Sequence, residues 1–225
     1  MQLLALHLII ISGFAFSNLS LDTRNQYSSG IDSVSVFLDS FERISFDTLH
    51  VYTPCKKPDG KKFAGRIMDS AFHNWFELSK YQLSNLRWQN MFSCYKFELN
   101  DSLTGLIVRR PSQYSETAIT LNLWDNKKEK IVSTTEIADS YGDGMWYFVK
   151  DAWLLDINGD LQLDIVTRTM HWTEEDIDPT PDNPLGRGEV FISDTVIVFI
   201  GNKESFELSN LKIDTAQFRL LNWDN

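Results

Sequence analysis

Asp156, Asn158, Asp160 and Asp164 put oxygen-bearing side chains at positions 1, 3, 5 and 9 of one short run, Asp156-Ile157-Asn158-Gly159-Asp160-Leu161-Gln162-Leu163-Asp164. Gln162, at position 7, adds a backbone carbonyl to the same pattern. A tight turn brings alternate residues toward one point, and an all-oxygen ligand set suits a hard divalent cation rather than a transition metal. The physical reason is charge. Three carboxylates this close repel one another when the turn folds, and a bound Ca2+ removes most of that repulsion. The alternative is a metal-free polar turn, in which the same side chains cap backbone N–H groups. Position 12 is Thr167, not a bidentate Glu, and the residues after Asp164 alternate as a strand, so the loop is expected to join two strands rather than two helices.

The run resembles the calcium loop of FG-GAP and VCBS-type repeats, Asp-x-Asn-Gly-Asp-Gly-x-x-Asp followed by Leu or Ile and a strand. Every ligand position matches, as does Ile165, while Leu161 replaces the glycine at position 6. The resemblance implies Ca2+ held by Asp156, Asn158, Asp160, the Gln162 carbonyl and Asp164. It also implies a left-handed backbone at Leu161, which costs a residue with a Cβ about 1–2 kcal/mol. Propellers carry several such loops and this chain carries one, so the likeness transfers a metal site rather than an activity. More loosely, Leu121 to Thr169, with Gly142-Asp143-Gly144-Met145-Trp146-Tyr147 ahead of the loop, looks like a group of uncharacterised secreted or periplasmic bacterial proteins. Some immunity proteins directed against cell-wall hydrolases share the layout of a leader, a β domain and a calcium loop.

A second feature follows the loop. His171 to Pro184 reads as a long connection with three prolines and five acids: Glu174, Glu175, Asp176, Asp178 and Asp182. Long connections in compact domains are usually functional or disordered. This one is either a solvated acidic excursion or a contact surface for a cationic partner, with Trp172 as its exposed aromatic contact. Trp146, Trp153 and Trp172 lie near the loop in sequence and raise a calcium-dependent carbohydrate-binding domain as the alternative, although Trp153 in Ala-Trp-Leu-Leu reads as core. A polysaccharide is then the partner in place of a basic protein. No phosphate-binding glycine loop, HExxH or nucleophile motif occurs, and no pair of carboxylates stands out as a glycoside-hydrolase acid and base. The expectation is a non-catalytic domain, with a glycan hydrolase as the more distant reading. Cys55 and Cys94 either form a disulfide or sit as separate buried thiols, and neither has a ligand-spaced partner for zinc.

These residues sit in a chain of 225 residues with 31 acids, 21 bases and a formal charge of −10. Nucleic acid and anionic membrane surfaces are poor partners for such a field. The charge is local: Asp139 to Glu189 holds twelve acids against Lys150, Arg168 and Arg187, a net of −9. Met1 to Leu21 has no charged residue, and its apolar run followed by Ala15-Phe16-Ser17 reads as a signal peptide over 1–17, cleaved near Ser17/Asn18. That layout implies a secreted or periplasmic protein with no membrane span after cleavage. Residues 18–32 read as a polar tail and 33–225 as a single calcium-binding domain.

Apolar alternation or β-branching predicts strands at Val34–Leu38, Leu49–Tyr52, Tyr95–Leu99, Leu106–Arg109, Thr117–Trp124, Met145–Val149, Trp153–Leu155, Ile165–Thr169, Val190–Ile200 and Phe218–Leu221. Thr117–Trp124 reads as half-buried, with Ile119, Leu121 and Leu123 on the core face. Phe72, Trp75, Phe76 and Leu83 space one helix over Asp69–Asn85, capped by Asp69 or Ser70. The fold class is mainly β, an antiparallel meander or sandwich or partly propeller-like sheets, with about one packed α-helix.

Overall fold

The computed structural model describes residues 33–54, 61–112, 116–142, 146–176, 178–184, 186–202 and 204–221. The leader, the polar tail and Cys55 lie outside the described residues. The chain is mainly β. Its strands are β1 (Glu42–Arg43), β2 (Thr48–Val51), β3 (Arg66–Ile67), β4 (Phe92–Asn100), β5 (Leu103–Arg110), β6 (Ala118–Asp125), β7 (Lys130–Gly142), β8 (Trp146–Leu155), β9 (Asp164–Asp176), β10 (Arg187–Gly201) and β11 (Phe206–Ser209). From β4 to β11 each strand pairs antiparallel with the next, a continuous meander. β1 runs parallel to β4, β3 joins β4, and β2 pairs with the Ala152–Leu155 end of β8.

Why the meander bends is visible at β7. Its Ile131–Ala138 stretch pairs with β6, whereas its last residues, Asp139–Gly142, pair with β8. The sheet therefore folds over, and its two halves share a core of Phe97, Leu103, Ile107, Ile119, Leu121, Leu123 and Ile137 against Leu49, Val51, Ala152, Leu154 and Ile165. A second apolar layer lies outside β5 and β6, where Phe37, Phe72, Phe76, Leu106, Val108 and Trp124 pack together. A third lies outside β8–β10, where Phe218 and Leu220 cover Val149, Trp153, Val166 and Met170.

Four expectations change. Val34–Leu38 is not a strand but part of helix α1 (Ser33–Asp39). Val34, Phe37, Leu38 and Phe41 fall at i, i+3, i+4 and i+7, and helical spacing lets Phe37 reach the rings of Trp75 and Trp124, 4.7 and 5.3 Å away. The single helix over Asp69–Asn85 is two pieces, a 3-10 helix (Ser70–Trp75) capped by Asp69 and α2 (Lys80–Asn85), whose Ser79 and Gln82 form a capping box. Phe76 is extended between them and turns its ring into the outer core. β6 is buried on both faces, because Thr120 and Asn122 are hydrogen-bonded beneath the helices: Thr134 Oγ1 donates to Asn122 Oδ1 at 2.8 Å and Asn122 Nδ2 to Leu106 O at 3.3 Å. Phe218–Leu221 forms no strand; Arg168 Nη1 donates to Phe218 O at 2.7 Å and pins the segment across β8 and β9.

No helix among the described residues is long and apolar enough to cross a membrane.

Candidate metal centre

The loop Asp156–Leu163 joins β8 to β9, strand to strand as its sequence predicts. Asp156 organises it. Its Oδ1 accepts the amide N–H of Gly159 at 2.7 Å and of Asp160 at 3.1 Å, and its Oδ2 accepts that of Leu161 at 2.8 Å. Asn158 Oδ1 accepts from Asp160 N at 2.9 Å, and Asp160 Oδ1 from Gln162 N at 2.8 Å. Partial desolvation raises the Asp156 carboxyl, but the amides of Leu161, Gly159, Asp160 and Asn158 outweigh it and hold the group below the ordinary aspartate range. The carboxylate therefore stays charged wherever a cation could use it.

Leu161 has φ +65, the left-handed backbone that its place in the loop requires, and Gly159 has φ +79. Leu161 is 94% exposed, so no burial offsets the backbone cost. Leu161→Gly is expected to stabilise the chain by about 0.5–1 kcal/mol, the relief of left-handed strain less the extra unfolded-state freedom of glycine. A lowered melting temperature for that variant would show that the leucine side chain contributes contacts of its own.

Asp164 behaves differently from its neighbours. It is fully buried, its Oδ2 accepting from Ile157 N at 3.0 Å and its Oδ1 from Gly201 N at 2.8 Å. The carboxylate ties the loop to the end of β10. At that point a Cβ on Gly201 would collide with the Leu163 carbonyl oxygen, so only glycine allows the approach. Asp156, Asn158, Asp160 and Gln162 are thus drawn into one hydrogen-bonded turn, with Asp164 anchoring its base. Among the described residues no three His, Cys, Asp or Glu side chains converge as a ready-made metal-binding group. A carboxylate oxygen has two lone pairs, and one donor uses one of them. Asp156 Oδ2, Asp160 Oδ1, Asn158 Oδ1 and both oxygens of Asp164 each take a single amide donor, so each keeps a lone pair that a hard cation would use without breaking the turn.

No family model, curated protein or solved structure matches this chain.

The acidic residues lie at the other end of the same hairpin. β9 continues to Asp176, so Trp172, Glu174, Glu175 and Asp176 are strand residues, and the expected long loop shortens to the connection that carries Asp178 and Asp182. Eight residues of extended strand separate Asp164 from Trp172, about 26 Å. A carbohydrate site that combined the metal with a Trp172 platform would need both in one place. Trp172 stacks on Tyr147 with centroids 5.5 Å apart and planes at 11°, and Tyr147 Oη donates to Glu174 Oε1 at 3.1 Å. Trp153 is buried as expected, and Trp146 is half exposed. Cys94 is buried and its thiol donates to Phe63 O at 3.4 Å, burial pushing its pKa up to about 12.

Two buried polar groups have no local signal in the sequence. Asp151, fully buried, accepts from Leu221 N at 2.9 Å and lies 2.9 Å from His50 Nε2, which stacks on Trp153 at 4.4 Å. Asp139 accepts from Thr117 Oγ1 and Ser140 N, each at 2.8 Å. Burial raises its carboxyl to about 6, the Thr117 hydrogen bond opposing and the charge of Glu136 adding.

Proposed function

We propose that this chain is a non-catalytic, calcium-stabilised domain of the secreted or periplasmic space that binds a protein with a basic surface, in the manner of an inhibitor or immunity protein acting on a cationic cell-wall enzyme. The observation that supports the reading is that the oxygen-rich loop and the acidic residues stand at opposite ends of β9. The loop at its base offers oxygens to Ca2+, and its far end gathers Glu174, Glu175, Asp176, Asp178, Asp182 and Glu189 against Arg187. An acidic surface of this kind steers a cationic partner and sets specificity more than it sets affinity.

Ca2+ would be held by Asp156, Asn158, Asp160, the Gln162 carbonyl and Asp164, and it would neutralise the turn and fix the base of the hairpin. At a hundredfold excess over Kd, Ca2+ is expected to stabilise the fold by about 2.7 kcal/mol, raising Tm by roughly 5–10 °C over the chelated protein. Coincident melting curves in Ca2+ and in chelator would remove the metal from the reading. The partner is tested by adding the protein to basic cell-wall hydrolases and following the clearing of a cell-wall suspension. Inhibition that weakens with salt and is lost on reversing Glu174 and Glu175 to lysine is expected, and unimpaired lysis by every basic hydrolase tried would sink the interaction reading.

A further inference from the structure

The outer edge of β10 is open. β9 pairs with β10 from Arg187 to Phe199, but β11 reaches only Val198–Gly201 on the other side. From Arg187 to Ile197 no strand lies beside that edge among the described residues, which leaves a row of backbone N–H and C=O groups facing outward. Sheet proteins usually blunt such an edge with lysine, proline or inward charges, because it templates pairing with another chain. Here Arg187–Gly201 contains neither lysine nor proline and reads Val190-Phe191-Ile192 and then Thr195-Val196-Ile197-Val198. The only interruption in the pairing is a bulge at Ile192. Val190 and Phe191, paired in turn with Thr173 and Trp172 and so on opposite faces, are 37% and 52% exposed, and Ile192 at the bulge is 45% exposed, so the fold leaves both faces of this segment partly uncovered. Scattered exposed apolar residues are ordinary, but a contiguous apolar strand with an open edge is not.

The neighbourhood says what would pair there. Phe191 lies opposite Trp172, and Trp172 opposite Tyr147, so a row of three rings runs across β8, β9 and β10 and ends at the open edge. One step along, Glu189 faces Glu174 directly; Glu174 is served by Arg187 at 3.8 Å and Tyr147 Oη at 3.1 Å, and Glu189 has no cation beside it among the described residues. Asp194 is already held by Arg168, at 2.6 and 2.9 Å, which leaves Glu189 as the free carboxylate of the edge. A second copy pairing edge to edge brings no spare base to Glu189, since Arg187 is the one base in Arg187–Gly201 and already lies 3.8 Å from Glu174, which argues against a homodimer. We infer that the edge of β10 accepts an extended segment of the basic partner as an added antiparallel or parallel strand, with apolar or aromatic residues continuing the Tyr147–Trp172–Phe191 row and a lysine or arginine beside Glu189. Main-chain hydrogen bonds supply the affinity in this mode, and alternate side chains supply the specificity. The inference rests on the cationic partner proposed above and adds how it is held.

The test uses the full chain with Ca2+ present and a fluorescent ten-residue peptide alternating lysine and valine, beside a peptoid with the same side chains and no backbone N–H. Fluorescence anisotropy is expected to show the peptide binding at least tenfold more tightly than the peptoid. Ile192→Lys on the edge should weaken peptide binding tenfold or more, and Leu208→Lys, on exposed β11, should leave it unchanged, with both variants melting like the parent. Equal binding of peptide and peptoid would overturn strand pairing while leaving the electrostatic reading standing. Absence of binding by either at low salt would overturn both. Self-association of the parent chain that Ile192→Lys abolishes would assign the edge to a second copy and overturn the basic occupant.

Discussion

Asp164→Ala is expected to destabilise the domain by roughly 3–5 kcal/mol in chelator, and by more in Ca2+, as read from urea unfolding. Both oxygens of this buried carboxylate accept backbone amides, one from Ile157 at the start of the loop and one from Gly201 at the end of β10. A hydrogen bond to a charged acceptor contributes about 1.5–3 kcal/mol, and truncation leaves two donors without a partner in a region too close-packed for easy repair. Asp156 and Asp160 are exposed, and their replacement should cost far less in chelator while abolishing the response to Ca2+. The contrast separates two roles within the proposed ligand set: exposed residues that serve the cation, and a buried residue that also holds the loop to β10. Equal and small losses for all three variants would show that Asp164 does not tie the loop to β10.

The second large effect is a pH dependence set by Asp139. Its carboxyl titrates at about 6 in the fold, against 3.8 when free. Between those values the folded chain binds the extra proton, so stability falls as pH rises through the window and the full deficit is present above it. The shift corresponds to roughly 3 kcal/mol at neutral pH. Asp139→Asn keeps an acceptor for Thr117 Oγ1 and Ser140 N and removes the buried charge. Its unfolding free energy is expected to exceed the parent's by up to roughly 3 kcal/mol at pH 8 and to match it near pH 4. A variant whose stability follows the parent's at both pH values would place the charge cost elsewhere, the nearest candidate being Arg110, whose buried Nε and Nη1 find no acceptor and whose guanidinium burial pulls down despite Glu136 and Asp139.

What could be read from the residues was what depends on near neighbours. The nine-residue loop, its connection of strand to strand and the left-handed Leu161 follow from spacing, because the hydrogen bonds to Asp156, Asn158 and Asp160 that shape the turn are made within it, Asp164 alone reaching out to Gly201. The strands of the meander were legible where their faces alternate. Val34–Leu38 misled because β-branched residues suggest a strand when the i, i+3, i+4, i+7 positions of Val34, Phe37, Leu38 and Phe41 carry the burial. β7 went unread because Ser133, Thr134, Thr135 and Glu136 hide its alternation, and only pairing with β6 on one stretch and β8 on the other makes it a strand. The acidic connection reads longer than it is because Trp172, packed on the outer core, is the one apolar residue of Trp172 to Asp176, too few for an alternation to show. His50 and Asp151, 101 residues apart, had no signal at all, since their meeting depends on β2 closing onto β8.

That meeting bears on the order in which the chain can acquire its structure during synthesis. β4 to β7 pair through short turns and can form from local sequence. Asp151 is a different matter: His50 reaches it from upstream and Leu221 N from downstream, and its other oxygen has no partner among the described residues. A nascent chain that has made β8 but not yet Leu221 carries a carboxylate that cannot be buried at full satisfaction. The outer face of β8–β10, with Trp153 and Val166 awaiting Phe218 and Leu220, stays wet until then. The half of the sheet that bears both the loop and the open edge is therefore the half that folds last, and a ribosome-stalled chain ending before residue 218 should be protease-sensitive there while its β4–β7 hairpins are already protected.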